Sequence, residues 1–239
     1  MLMDVHCALG MALFHLGEVR SARTQLEQAW SLAGPSQDHP HACLFPIRKP
    51  GVHCAAFLIH VYWFLGCLDQ ASSRMAELAL SFIEQLDPAD LGCAHFLMAA
   101  FYQLSGQVRE SQEYAQSAVL LSNEFGSGQW GAKAGVIRGW ALAAQGQEEG
   151  IEQIKQNLST LSQTGPHLAR HYYLSLLAQA YGCDGQAEKG LSTLNEALAI
   201  MRRLASTSGR QIWFGFWGIC ISLSMIEIRG CLRRGIVVW

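Results

Sequence analysis

Five glycines recur along the chain at a nearly constant interval, and this repeat limits the possible folds more than any other feature. They are separated by 49, 40, 40 and 39 residues and lie at Gly17, Gly66, Gly106, Gly146 and Gly185. A large apolar or aromatic side chain stands four residues before each one, at Leu13, Tyr62, Tyr102, Leu142 and Tyr181. A constant interval of this length indicates one structural unit repeated five times.

Each unit has the pattern of a helical hairpin. Apolar residues recur at helical spacing both before and after each glycine, and the glycine supplies the positive φ that ends the first helix. The residues seven positions before the glycines are mostly small, which allows two helices to cross closely. The pattern predicts five antiparallel helix pairs at about 3–17/18–33, 53–65/68–86, 91–105/107–124, 129–145/147–163 and 167–182/185–205.

The predicted fold class is all-α, a right-handed α-solenoid of about five hairpins, because one hairpin cannot bury both of its faces and neighbours must stack. We expect the repeat array to occupy residues 1–205. Four of the large residues before the glycines are expected to be buried at equivalent places: Tyr62, Tyr102, Leu142 and Tyr181. Residues 206–239 form an atypical apolar tail that several glycines interrupt. The tail is expected to form one short docked helix followed by a loose end, or else an exposed patch that promotes self-association.

The repeat resembles the tetratricopeptide repeat, whose signature is visible in ALGMALFHLGEVRSARTQLEQA (Ala8–Ala29) and recurs at Leu176–Ala199. Three stretches look like a narrower family, at Phe14–Gln28, Arg138–Ile151 and Thr164–Gly182. That family is the C-terminal repeat region of bacterial predicted-ATPase signalling proteins of the AAA or STAND type, often fused to class III adenylate/guanylate cyclase domains. The resemblance implies a fragment or relative of such a protein, with its ATPase and cyclase modules missing from this sequence.

Composition excludes several classes of protein. Half of the residues are hydrophobic and 15% are charged, which argues against a disordered chain. The net charge of −2 comes from 17 basic and 19 acidic residues, so the chain is not adapted to bind nucleic acid. No apolar stretch is long enough to span a membrane, and the N-terminus lacks the basic region of a signal peptide. We therefore expect a cytoplasmic protein with reduced cysteines.

Patterns that carry chemistry are weak, so no enzyme activity and no cofactor are expected. Gly126, Gly128 and Gly131 have the spacing of a dinucleotide-binding loop but follow a helical segment, which indicates an ordinary turn between repeats. His167 and His171 share a helix face without the glutamate of a zinc protease. A surface loop is favoured over a zinc site for a further group, which contains His39, His41, Cys43, His53 and Cys54.

Partner binding is expected on the concave face, which the first helix of each hairpin lines in tetratricopeptide arrays. Counting from the repeat glycines predicts an aromatic, nearly neutral surface made of Phe14, His60, Trp63, Phe96, Gln103, Trp140, Tyr172 and Gln179. Lys133 is the one lysine of this face, too few for the basic cluster that grips a peptide carboxylate.

The leading hypothesis is therefore a non-catalytic module that binds a protein or peptide, including domains of the same parent protein. The alternative is a small-ligand sensor array that regulates an attached or partner ATPase or transcription activator. A peptide would bury Trp63 and Trp140 along an open groove, whereas a small ligand needs an enclosed pocket.

Overall fold

A computed structural model describes residues 2–32, 50–81, 86–126, 128–163 and 169–208, all of them in α-helices or the turns between them. The ten helices are α1 (Leu2–His15), α2 (Val19–Leu32), α3 (Pro50–Phe64), α4 (Leu68–Ser81), α5 (Pro88–Leu104), α6 (Val108–Glu124), α7 (Gly128–Ala144), α8 (Glu149–Gln163), α9 (Arg170–Cys183) and α10 (Ala187–Ser208). No strand occurs within these ranges. The predicted all-α solenoid is confirmed.

The repeat glycines end the first helix of every pair, as predicted. All five have positive φ, between 73° and 78°. At Gly106, for example, the glycine N–H donates to the carbonyl oxygen of Gln103 at 3.1 Å, and the next N–H donates to that of Tyr102 at 2.9 Å. These bonds satisfy carbonyl groups that the helix end would otherwise leave unpaired.

Several predicted boundaries differ from the observed ones by a few residues. Helix α3 begins at Pro50 rather than near residue 53, and α5 begins at Pro88 rather than near residue 91. Proline suits the first position of a helix, because the N–H that it lacks would have no partner there. Helix α7 begins at Gly128, one residue before the predicted start. Residues 206–208 continue α10, and the remainder of the predicted tail lies outside the described residues.

The helices form two layers, because each pair packs against the next through its first helix. Helices α1, α3, α5, α7 and α9 contact one another in succession and form the inner layer. The second helices pack outside them, with α2 against α3, α6 against α7 and α8 against α9. The inner helices α3, α5, α7 and α9 are therefore buried over most of their described surface, whereas α6 and α8 each bury one stripe.

The large residues that precede the repeat glycines do not all have the same burial. Tyr62 and Leu142 are buried, as predicted, with 5% and 4% of their surface exposed. Tyr102 and Tyr181 are only half-buried. Tyr102 stacks on Tyr114 of α6, with ring centroids 5.4 Å apart and planes 12° from parallel. Both half-buried rings thus pack against the core without being enclosed by it.

Replacing Leu142 with Ala is expected to lower the free energy of unfolding by at least about 2 kcal/mol, because it removes a buried side chain and leaves a cavity. The matched control is Leu68→Ala, at a leucine that is 57% exposed. The control should stay within about 0.5 kcal/mol of the wild type. Urea unfolding followed by circular dichroism measures both. Equal effects of the two substitutions would contradict the assignment of Leu142 to the core.

Candidate functional site

A cavity of about 230 Å³ lies on the inner layer of helices, and residues from all five first helices line it. Six aromatic rings form much of its wall: Phe14, Phe57, Phe96, Trp130, Tyr172 and Tyr173. Their helical spacing follows from the repeat, because positions three, four or seven residues apart on a first helix share its inner face. Stacking of successive hairpins then brings these faces together.

The rings contact each other across the gaps between helices. The centroids of Phe14 and Phe57 are 5.5 Å apart at an interplanar angle of 85°, an edge-to-face arrangement that joins α1 to α3. Phe96 and Trp130 are 5.4 Å apart and join α5 to α7. His53 lies 6.3 Å from the ring of Trp130, so α3 also reaches α7. The inner layer is thus wound tightly enough for alternate hairpins to meet.

The predicted concave-face residues divide into two groups. Phe14, His60, Phe96 and Tyr172 line the cavity, whereas Trp63, Gln103, Trp140 and Gln179 do not.

Two hydrogen bonds bring predicted residues together in pairs. The Tyr172 hydroxyl donates to Oε1 of Gln103 at 2.8 Å, and Trp140 Nε1 donates to Oε1 of Gln179 at 2.6 Å. Gln103, Trp140 and Tyr172 are also buried. These side chains therefore hold α5, α7 and α9 together. They are not exposed along an open groove, whereas Trp63 is half-buried.

Sequence reasoning missed several residues of the cavity wall. On α3, His53 lies two turns before His60 and Phe57 lies one turn before it, and on α7 Trp130 lies one turn before Lys133. The sequence signal for these residues was their spacing of three, four or seven positions along the helix, because residues at such spacings share a helix face. Counting one position per hairpin from the repeat glycine could not reveal how many turns of each helix face the cavity.

Lys133 supplies the positive charge of the cavity. Its Nζ lies 4.2 Å from the ring centroid of Trp130, a cation–π contact on the same helix. Burial lowers the pKa of this lysine below its usual value, although the nearby Cys93 thiol acts in the opposite direction. None of the described residues that line the cavity is an aspartate or a glutamate. The ammonium group therefore faces an apolar space without a carboxylate in its described wall.

Three histidines of the wall are held in their neutral form at neutral pH. Burial lowers the pKa of His15 to about 4, with smaller contributions from His60 and Lys133. Burial and the charge of Lys133 likewise lower the pKa of His53 to about 4. The pKa of His60 is also lowered by burial, although a hydrogen bond between its Nδ1 and the carbonyl oxygen of Ala56 opposes the shift. A second positive charge beside Lys133 is thereby avoided.

One thiol–imidazole pair lies next to the cavity but lacks the properties of a nucleophile. Cys93 Sγ is 3.4 Å from Nε2 of His53, and Cys93 is completely buried. Burial raises the pKa of the Cys93 thiol well above its usual value, so the reactive thiolate does not form at neutral pH. The predicted surface loop is wrong for His53 and Cys54, because both are buried on α3. The Cys54 thiol donates to the carbonyl oxygen of Leu26 at 3.0 Å.

The described residues contain no group of three or more histidine, cysteine, aspartate or glutamate side chains placed to hold a metal ion. His39, His41 and Cys43 of the histidine and cysteine group, and His167 of the predicted pair, lie outside those residues. His171 is completely buried. Among the helices described, none is both long and apolar enough to cross a membrane.

Comparison with known proteins identifies the fold. No protein-family model and no curated protein matches the sequence. A solved structure from Podosopora anserina, described as a kinesin light chain with nearly identical TPR-like repeats, superposes with a TM-score of 0.52 at 21% identity. A single-substitution variant of that protein gives a TM-score of 0.54, also at 21% identity. Each match covers 85% of this chain and 95% of the other. The chain thus has the fold of a TPR-like α-solenoid.

Proposed function

We propose that this chain is a non-catalytic helical-repeat module that binds a protein partner. The observation that carries the proposal is an apolar face at the α1 end of the array. Leu2, Val5 and Leu9 are 62%, 51% and 45% exposed, at a spacing that places them along one side of α1. Exposed apolar groups that form a continuous stripe mark interaction surfaces, whereas single exposed leucines do not.

The kind of partner follows from the geometry of this end. Helix α1 packs against α2 and α3 on its inner side, in the way that each later first helix packs against its neighbours. The stripe on its other side offers the type of surface that one hairpin presents to the next in a stacked array. We therefore expect the partner to contribute an amphipathic helix or helix pair that extends the stack.

The double substitution Val5→Glu and Leu9→Glu tests this surface. Because a buried carboxylate without a partner is costly, the variant should lose any protein that docks on α1. The wild-type chain is immobilised, and proteins captured from the native cell lysate are identified by mass spectrometry. The matched control is Leu120→Glu, at a leucine on α6 that is 59% exposed. Retention of the same captured protein by all three chains would exclude α1 as the docking surface.

A second candidate function is favoured by the cavity. The cavity gives the sensor hypothesis an apolar pocket on the inner layer, and the buried state of Trp140 argues against an open peptide groove at that residue. In this version a small molecule occupies the inner layer and changes how the hairpins wind. The changed winding in turn alters the position of the exposed face of α1 that binds the partner. The two candidates are compatible, because on α1 the exposed stripe and the cavity wall lie on opposite sides of the helix.

The resemblance of Phe14–Gln28, Arg138–Ile151 and Thr164–Gly182 to bacterial signalling ATPases supports a finer proposal. The module would act in the cytoplasm as a fragment or relative of such a protein, and regulate an attached or partner ATPase, cyclase or transcription activator. Genomic sequence upstream of the Met1 codon is the direct test. A nucleotide-binding module encoded in the same frame or in an adjacent gene is the expected result, and unrelated neighbouring genes would contradict it.

A further inference from the structure

The cavity combines an apolar wall with one cation, and this combination defines the chemistry of a ligand. Most of the wall is hydrocarbon, from the six aromatic rings and from Met11, Leu97, Ala100 and Leu104. Lys133 approaches the same space from α7, and the described wall has no acidic side chain to neutralise it. A ligand that satisfies both features has a flat apolar body and a single negative charge.

The volume limits the size of that body. An engineered protein cavity of about 150 Å³ binds benzene. By proportion, 230 Å³ accommodates roughly ten non-hydrogen atoms, the size of a fused two-ring aromatic system. Flat rings also suit a wall in which aromatic side chains meet edge-on or tilted, because such side chains offer faces for stacking.

We propose that the inner layer binds a small aromatic monocarboxylate, with its fused rings among Phe14, Phe57, Phe96 and Trp130 and its carboxylate on Lys133. The proposal rests on the second candidate function and supplies its ligand class. A carboxylate accepts a charge-assisted hydrogen bond from the ammonium group, and this bond is strong because apolar groups surround it.

The electrostatics of the cavity explain why the ligand is an anion. An ammonium group in an apolar space is costly unless an opposite charge accompanies it. The neutral state of His15, His53 and His60 leaves one positive charge for one carboxylate, so a dianion would be left partly uncompensated. The absence of acidic groups from the described wall removes the usual internal competitor for Lys133. An anionic ligand thus restores the charge balance that the folded chain lacks at this point.

Binding of 2-naphthoate and of 2-naphthamide to the full-length chain tests the proposal. The two probes have nearly the same shape and differ in charge. Isothermal titration calorimetry should show that 2-naphthoate binds at least about tenfold more tightly than the amide. Quenching of Trp130 fluorescence on binding places the probe in the cavity, and Trp130→Phe should remove that signal. Equal affinities for the two probes, or no binding of either, would overturn the proposal.

Substitutions of Lys133 separate charge recognition from general apolar binding. The Lys133→Met variant should bind 2-naphthoate and 2-naphthamide with about equal affinity, and its affinity for 2-naphthamide should match that of the wild type. The Lys133→Arg variant should keep most of the preference for 2-naphthoate. The matched control is Lys155→Met, at a lysine on α8 whose side chain is 46% exposed. Unchanged selectivity in Lys133→Met would assign binding to another place. A negative result here leaves the capture experiment on Val5 and Leu9 unaffected, so the two proposals fail separately.

Discussion

Gly150→Val is expected to lower the free energy of unfolding by about 3 kcal/mol, the upper end of the usual range for overpacking, because a backbone contact cannot relax by side-chain movement. A Cβ atom at Gly150 would lie 2.5 Å from the backbone nitrogen of Ala143 and 2.5 Å from the carbonyl oxygen of Gly139. The facing glycine is equally restricted, since a Cβ at Gly139 would lie 2.7 Å from the carbonyl oxygen of Gly150. Helices α7 and α8 therefore cross with their backbones in contact.

The matched control for this prediction is Gly128→Val at the first residue of α7. Gly128 is exposed, and an added Cβ there meets nothing within 4 Å. We expect this variant to stay within about 1 kcal/mol of the wild type, because the substitution touches only solvent and the first helical turn. Chemical unfolding of the three chains measures the difference. A Gly150→Val chain as stable as the control would mean that α7 and α8 cross elsewhere.

The close crossing of α7 and α8 was predictable from the sequence, whereas the cavity was not. Gly139 is one of the small residues that stand seven positions before a repeat glycine, and Gly10 is another, where a Cβ would lie 2.6 Å from Cγ of Leu26. Such contacts involve the two helices of one hairpin, so a local pattern records them. The ends of the first helices were also predictable from the sequence, because the positive φ of the repeat glycines depends on local sequence.

The inner layer depends instead on how tightly successive hairpins wind, which no local pattern records. The bond between Trp140 and Gln179 spans 39 residues, and the one between Tyr172 and Gln103 spans 69. Counting from the repeat glycines correctly placed these residues on first helices. It could not tell that two such bonds would join them in pairs, nor that His53 and Trp130 would meet across an intervening hairpin. The predicted partner-binding role of the set stays a prediction.

The buried histidines predict a loss of stability in mild acid. His53 and His171 are 4% and 0% exposed, and burial lowers the pKa of each from 6.5 to about 4. The unfolded chain therefore binds more protons than the folded chain between these two values, so stability falls as the pH falls through this window. From about pH 7.5 to about pH 5, each histidine should cost about 2 kcal/mol, or about 4 kcal/mol together.

Urea unfolding at several pH values from about 7.5 to about 5 measures this loss. His53→Gln with His171→Gln supplies the comparison, because glutamine keeps a polar side chain that does not titrate. Although the double variant is expected to be less stable at neutral pH, its stability should fall by about 4 kcal/mol less than that of the wild type across the window. His15, whose pKa burial also lowers to about 4, still titrates in both chains. The slope of the unfolding free energy against pH gives the number of protons taken up on unfolding, whereas the absolute free energy does not. An equally steep slope in the double variant would assign the acid sensitivity to other groups and would mean that folding does not lower the pKa values of His53 and His171.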